Sequence, residues 1–160
     1  QAARTWGVVG ALCGLGRMVE GGADPRFVVR RMLRMASEDI GMADPRALEQ
    51  VAAVERTVEH VGMPECELAL AQATVYLALA AKSNALYTAY GKVKREVGAR
   101  PGLAVPMAIR NPPTELMNGV GYGEGYRYAH DDAGSVAAPA LLPDELPDVR
   151  FHPPHAYGRE

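Results

Sequence analysis

The sequence lacks the local signatures that announce most small enzymes. It has no G-x-x-x-x-G-K-[ST] phosphate loop, no G-x-S-x-G nucleophile turn and no H-E-x-x-H zinc helix. These absences count against nucleotide hydrolysis, serine-dependent acyl transfer and zinc proteolysis by this chain. No apolar run is long enough to span a bilayer. The N-terminal stretch carries one arginine and glycine-interrupted apolar positions, without the small-residue cleavage pattern of a secretory leader. The chain opens on Gln1 and not on methionine, which suggests a piece of a larger protein. Only two cysteines occur, Cys13 and Cys66, too few and too far apart for a disulfide scaffold. The expectation is a reducing compartment and two buried thiols. The formal charge of -2 makes no global demand for nucleic acid, membrane or an acidic partner. Aromatic residues are scarce, at 6%, so a core must come from alanine, leucine, valine and methionine, a composition that favours packed helices.

What is present fits that inference. The 160 residues are 48% hydrophobic, enough for one ordinary domain with a real core. The fold class read from the pattern is all-α. A bundle of about five main helices spans residues 1–98, and a long irregular extension rich in proline, glycine and tyrosine covers 99–160. The first helix runs from about Arg4 to Glu20 despite its glycines and stops at Gly21-Gly22. Ala23-Asp24-Pro25-Arg26 recurs as Ala43-Asp44-Pro45-Arg46. Each copy reads as a helix start, with aspartate capping free amides and proline at the first helical position. After the first copy, Val28, Met32, Met35 and Ala36 share one face, and Arg26, Arg30 and Arg34 another. After the second, Leu48, Val51, Ala52, Glu55 and Val58 trace the expected buried stripe, Glu55 at its edge.

A fourth helix is expected to begin at Met63-Pro64, with Glu65 and Glu67 in a first turn where the helix dipole favours negative charge. From Leu68 to Ala81 it is apolar almost all round, the pattern of a helix enclosed by others. A fifth helix follows Ser83 and carries Leu86, Ala89, Tyr90, Val93 and Val97. Beyond about residue 100 proline and glycine are too dense for long helices. A short helix is expected from about Pro113 to Gly119, where Pro-Thr-Glu-Leu-Met suits a first turn, and a further short turn after Pro143. The extension keeps enough leucine, valine, tyrosine and phenylalanine to pack as an ordered strap.

Five clusters are candidates for chemistry. The run Gly121–Asp131, GYGEGYRYAHD, offers glycines that could cradle a phosphate, tyrosines that could stack, and a His-Asp pair. It lacks the buried strand and following helix of a dinucleotide loop. Glycine-permitted bends between the anchors Tyr122, Tyr126 and Tyr128 are the simpler account. His130 and Asp131 are adjacent, so in an extended chain their side chains diverge, and no nucleophile is near. His60, His152, His155 and the two cysteines show no metal-ligand spacing. Arg26, Arg30, Arg31 and Arg34, and a second group, Lys92, Lys94 and Arg95, could contact phosphates. Lys82, Ser83 and Asn84 could form a catalytic trio. They could instead serve the carbonyl end of one helix, cap the next, and turn the chain between them.

The blocks Arg30–Leu48, RRMLRMASEDIGMADPRAL, and Gly62–Tyr90, GMPECELALAQATVYLALAAKSNALYTAY, resemble the replication-associated recombination protein A family, also called MgsA. The Werner helicase-interacting ATPase is its eukaryotic relative. The likeness resumes over Arg110–Asp131, reaches Leu142–Leu146, and covers about four-fifths of the chain. It departs at Leu12–Met18, where a Tyr-Trp-Leu-Ala stretch is the pattern, and at Ala81, where proline is usual. The resemblance implies the helical C-terminal, oligomerising part of a DNA-dependent AAA+ ATPase that acts at stalled replication forks. It implies a homotetramer, with DNA and single-stranded-DNA-binding protein as partners of the whole protein, in the cytoplasm at the nucleoid. ATP and magnesium would belong to an ATPase module outside this chain. Lys82, Ser83, Asn84, Tyr87, Tyr122, Tyr126, Tyr128, His130 and Asp131 are then candidates for an oligomer or structural motif. The rival readings are a helical module that binds DNA or a replisome protein, and a small hydrolase built on His130 and the Lys82-Ser83-Asn84 block.

Overall fold

The computed structural model describes residues 7–126, 142, 143, 145, 146 and 150–153. Among the described residues there are six α-helices and no strand. They are α1 (Gly7–Glu20), α2 (Pro25–Met35), α3 (Arg46–His60), α4 (Glu67–Leu79), α5 (Ala85–Ala99) and α6 (Glu115–Gly119). A π-helical turn, Ala36–Ile40, and a 3-10 turn, Gly41–Ala43, join α2 to α3. The chain divides between Val93 and Lys94 into two compact units.

In the first unit α4 packs against α1, α2 and α3, and α2 packs against α3. The core is aliphatic: Val28, Val29, Met32 and Met35 from α2, Ala47, Val51, Val54 and Val58 from α3, and Leu70, Ala73 and Leu77 from α4. Ile40 and Cys66 are sealed within it. Burial raises the Cys66 thiol above its ordinary pKa, which leaves it an inert core residue. Cys13, expected inside, is exposed, because α1 buries only its Ala11–Leu15 face.

The two aspartate-proline starts behave differently. Asp24 is a side-chain cap and accepts from the Arg26 amide at 2.8 Å, with Pro25 opening α2. At the second copy the Asp44 carboxylate turns away from the backbone. It accepts from the Tyr76 hydroxyl on α4 at 2.7 Å and from Arg46 Nε at 3.1 Å. The Ala47 amide takes the Asp44 carbonyl instead, at 3.0 Å. A tertiary donor within reach outcompetes the local cap. The glycine stop after α1 follows expectation. The Ala23 amide bonds the Met18 carbonyl and the Gly22 amide bonds the Val19 carbonyl, each at 2.9 Å, with Gly22 at φ +77°.

Three expectations shift. Leu48 and Glu55 face outward and Ala47 and Val54 face inward, so the α3 stripe is rotated by about one residue. α4 begins at Glu67, after turns over residues 63–66. Although apolar all round, α4 is not enclosed. Leu68 and Leu79 are 82% and 71% exposed.

The Asp44–Tyr76 bond generates a prediction. Arg46, then Tyr76, hold the Asp44 carboxyl below its ordinary pKa. A depressed carboxylate pKa contributes stability that is full above the unfolded value of about 3.9 and is lost as pH falls through the folded value. Tyr76→Phe should cost about 1–2 kcal/mol in urea unfolding at neutral pH. Asp44→Asn should flatten the acid limb of the stability–pH profile, and an unchanged acid limb would contradict the assignment.

Candidate functional site

Two segments about forty residues apart meet at one joint in the first unit. The Ser83 amide donates to the Asp39 carbonyl at 2.9 Å. Gly41 lies beneath it at φ +52°, and a β-carbon there would stand 3.2 Å from the Ser83 carbonyl oxygen. Close backbone approach and a left-handed φ together require glycine. The Ala36–Ile40 turn brings Asp39 to this point, and Gly41 ends the turn with its amide bonded to the Ala36 carbonyl.

Lys82, Ser83 and Asn84 spend their hydrogen bonds on helix ends. Lys82 Nζ donates to the Ala80 and Ala78 carbonyls at 2.6 and 3.2 Å, completing the C-terminus of α4. Burial lowers the Lys82 pKa, and the nearby Asp39 charge opposes that shift. The Ser83 hydroxyl accepts from the Ala85 amide at 3.2 Å, and the Asn84 carbonyl takes the Thr88 amide at 3.0 Å. Tyr87 follows one turn into α5, 61% exposed.

The glycine–tyrosine run lies in the second unit. Its backbone donors are consumed by short turns. Val120 bonds Leu116, Gly121 bonds Asn118, Tyr122 bonds Met117, Gly123 bonds Met107, Glu124 bonds Gly121 and Tyr126 bonds Gly123, all between 2.8 and 3.2 Å. A phosphate cradle needs such amides pointing outward. Here they are turned inward, and Gly121, Gly123 and Gly125 at positive φ make the coil possible. The Arg110 guanidinium sits 5.2 Å from the centre of the Tyr122 ring and donates to the Val105 carbonyl at 2.7 Å. Tyr126 is exposed at the edge of a groove of about 900 Å³ lined by Ile109, Pro112, Val120 and Tyr122. Tyr128, His130 and Asp131 lie outside the described residues.

Arg26, Arg30, Arg31 and Arg34 all project from α2 into solvent. Arg34 pairs with Glu38 at 2.8 Å, and that bond raises its pKa. Lys92, Lys94 and Arg95 are exposed on α5, Lys92 in the first unit and the other two in the second. No group of three or more histidine, cysteine, aspartate or glutamate side chains could hold a metal among the described residues. Sequence reasoning passed over Asp39, Gly41 and Tyr76. A glycine closing a helical run was a visible cue for Gly41; nothing local marked the other two.

The helices described, with the Lys82–Asn84 block spent on helix ends, define an all-α domain, and comparison with known proteins identifies which kind. A family model described as MgsA AAA+ ATPase C terminal matches residues 8–160. The chain therefore belongs to the MgsA family, as the C-terminal domain of an AAA+ ATPase. It is 50% identical, over 91% of its length, to the replication-associated recombination protein A of Coxiella burnetii, and covers 33% of that protein. It is 46% identical over 94% of its length to the protein of the same name in Escherichia coli K12, covering 34% of it. It is 44% identical over 84% to the ATPase WRNIP1 of Dictyostelium discoideum, covering 16%. The chain thus spans about a third of the length of its bacterial relatives.

The joint carries a stability prediction. Gly41→Ala should cost about 1–3 kcal/mol. Gly16→Ala, in mid-helix with open space around it, should instead gain about 0.5–1 kcal/mol. Chemical denaturation of the two variants checks both signs.

Proposed function

We propose that this chain is the self-association domain of its parent ATPase and assembles as a homotetramer. One observation carries the reading. On α4, Leu68, Gln72, Val75 and Leu79 recur at i, i+4, i+7 and i+11 on the side opposite Leu70, Ala73, Thr74 and Leu77, and Leu68 and Leu79 are the most exposed of them. Burying a fully exposed leucine is worth about 1.5–3 kcal/mol. Two exposed leucines three turns apart on one side of a core helix, with Gln72 and Val75 between them, are best accounted for by a second copy of the same helix. In this reading the parent protein is a DNA-dependent ATPase working in replication, recombination and repair at stalled forks, in the cytoplasm at the nucleoid. ATP and magnesium are bound by its ATPase module, and single-stranded-DNA-binding protein is a partner of the whole. The relatives' names, replication-associated recombination protein A and ATPase WRNIP1, support that setting.

A second reading, direct contact with DNA, is favoured by the charge of α2. The helix holds four arginines and no acidic residue in eleven positions.

In light scattering at micromolar concentration the wild-type chain should show the mass of a tetramer. Leu68→Glu with Leu79→Glu should reduce it to a monomer with unchanged helical circular dichroism. A monomeric wild type removes the assembly role from this domain.

A further inference from the structure

The outer face of α2 is not a plain solvated arginine row. Phe27 lies within it, 51% exposed, and precedes Arg30, Arg31 and Arg34 at i+3, i+4 and i+7. That spacing is normally a core stripe. Here the core is met by the other side, through Val28, Val29, Met32 and Met35. Phenylalanine offers a large apolar ring and no hydrogen bond, so a solvated position wastes its surface.

The charges around it are unevenly distributed. Arg26 and Arg30 line a furrow with Glu55 and Glu59 of α3, and among the described residues neither arginine forms an ion pair. Arg34 is held by Glu38. Arg31 lies on the opposite flank with Phe27, and among the described residues it makes no ion pair. The result is a planar aromatic ring flanked by arginines on one helix face, their β-carbons about 5–6 Å from that of Phe27 at the i+3 and i+4 positions. A ring recognises the faces of unpaired bases, and guanidinium groups recognise phosphates. Arginine can also read guanine edges in a duplex groove, so the feature of α2 that favours an unpaired strand is the exposed Phe27 ring, which has no hydrogen bond to offer a base edge and an apolar face to offer a base.

We infer that the Phe27–Arg30–Arg31–Arg34 face of α2 binds single-stranded nucleic acid, with Phe27 stacking on a base and Arg30 and Arg31 meeting the flanking phosphates. The inference deepens the DNA-contact reading by naming the strand form and the stacking residue, and it is independent of self-association.

The test is fluorescence anisotropy of the whole chain with a labelled oligothymidylate of twenty nucleotides, across a salt series. Wild type should bind, with affinity falling as salt rises. Phe27→Ala should weaken binding about 5- to 150-fold at unchanged salt slope, and Phe27→Trp should restore it. Arg30→Gln with Arg31→Gln should lower the slope by about 1.4, since each phosphate contact on a single strand contributes about 0.7. Equal binding of duplex and single strand, with Phe27→Ala silent, would overturn stacking and leave only a general DNA contact. No binding to either would overturn both readings. Equal competition by polyglutamate would reassign the face to an acidic protein segment. Loss of oligomer mass in Phe27→Ala would make it an interface residue and sink the inference.

Discussion

The backbone bond from the Ser83 amide to the Asp39 carbonyl joins the turn after α2 to the turn after α4. Much of the first unit depends on that meeting. It places the last carbonyls of α4 where Lys82 reaches them, and it starts α5 where the Ser83 hydroxyl can take the Ala85 amide. Gly41 eases it, since a β-carbon there would stand 3.2 Å from the Ser83 carbonyl oxygen at a φ of +52°. The Lys82-Ser83-Asn84 block, which could be read along the chain as a catalytic trio, becomes a helix end and a helix start when read in space. The Lys82 ammonium and the Ser83 hydroxyl serve backbone groups that every helix end leaves unpaired.

The same economy governs the glycine–tyrosine run. Its glycines serve conformations that direct amides inward, and its described aromatic at position 122 receives the Arg110 guanidinium from its own unit. Two of the exposed surfaces contrast. α4 presents leucines with no charge among them, which suits a like surface. α2 presents arginines around one phenylalanine, which suits an anionic, planar ligand. A domain of near-neutral net charge can hold both, because neither surface depends on the overall charge.

Much of the helical plan was legible. Val28, Met32, Met35 and Ala36 could be placed on one buried face from spacing alone, since a helix of period 3.6 admits only one such stripe. The stop at Gly21-Gly22, the cap at Asp24 and the short helix after Thr114 were visible because their chemistry is contained within a few residues. Leu48 misled because Ala47, one residue before it, takes the inward position on α3 and is fully buried, while Leu48 is 46% exposed. The likeness of the two aspartate-proline starts misled in the same way. Tyr76 lies thirty-two residues from Asp44, and no local pattern announces that its hydroxyl will displace a backbone cap.

Sequence alone determined the class of the fold, the order of its helices and, through long matching blocks, the family. These follow from local propensity, periodicity and motif order, which survive without coordinates. Which apolar faces are covered, whether a lysine and a serine react or cap, and where Phe27 stands among the arginines were decided only by the tertiary structure. Each of these depends on what a distant segment brings within a few ångströms, and chain order carries no record of that distance.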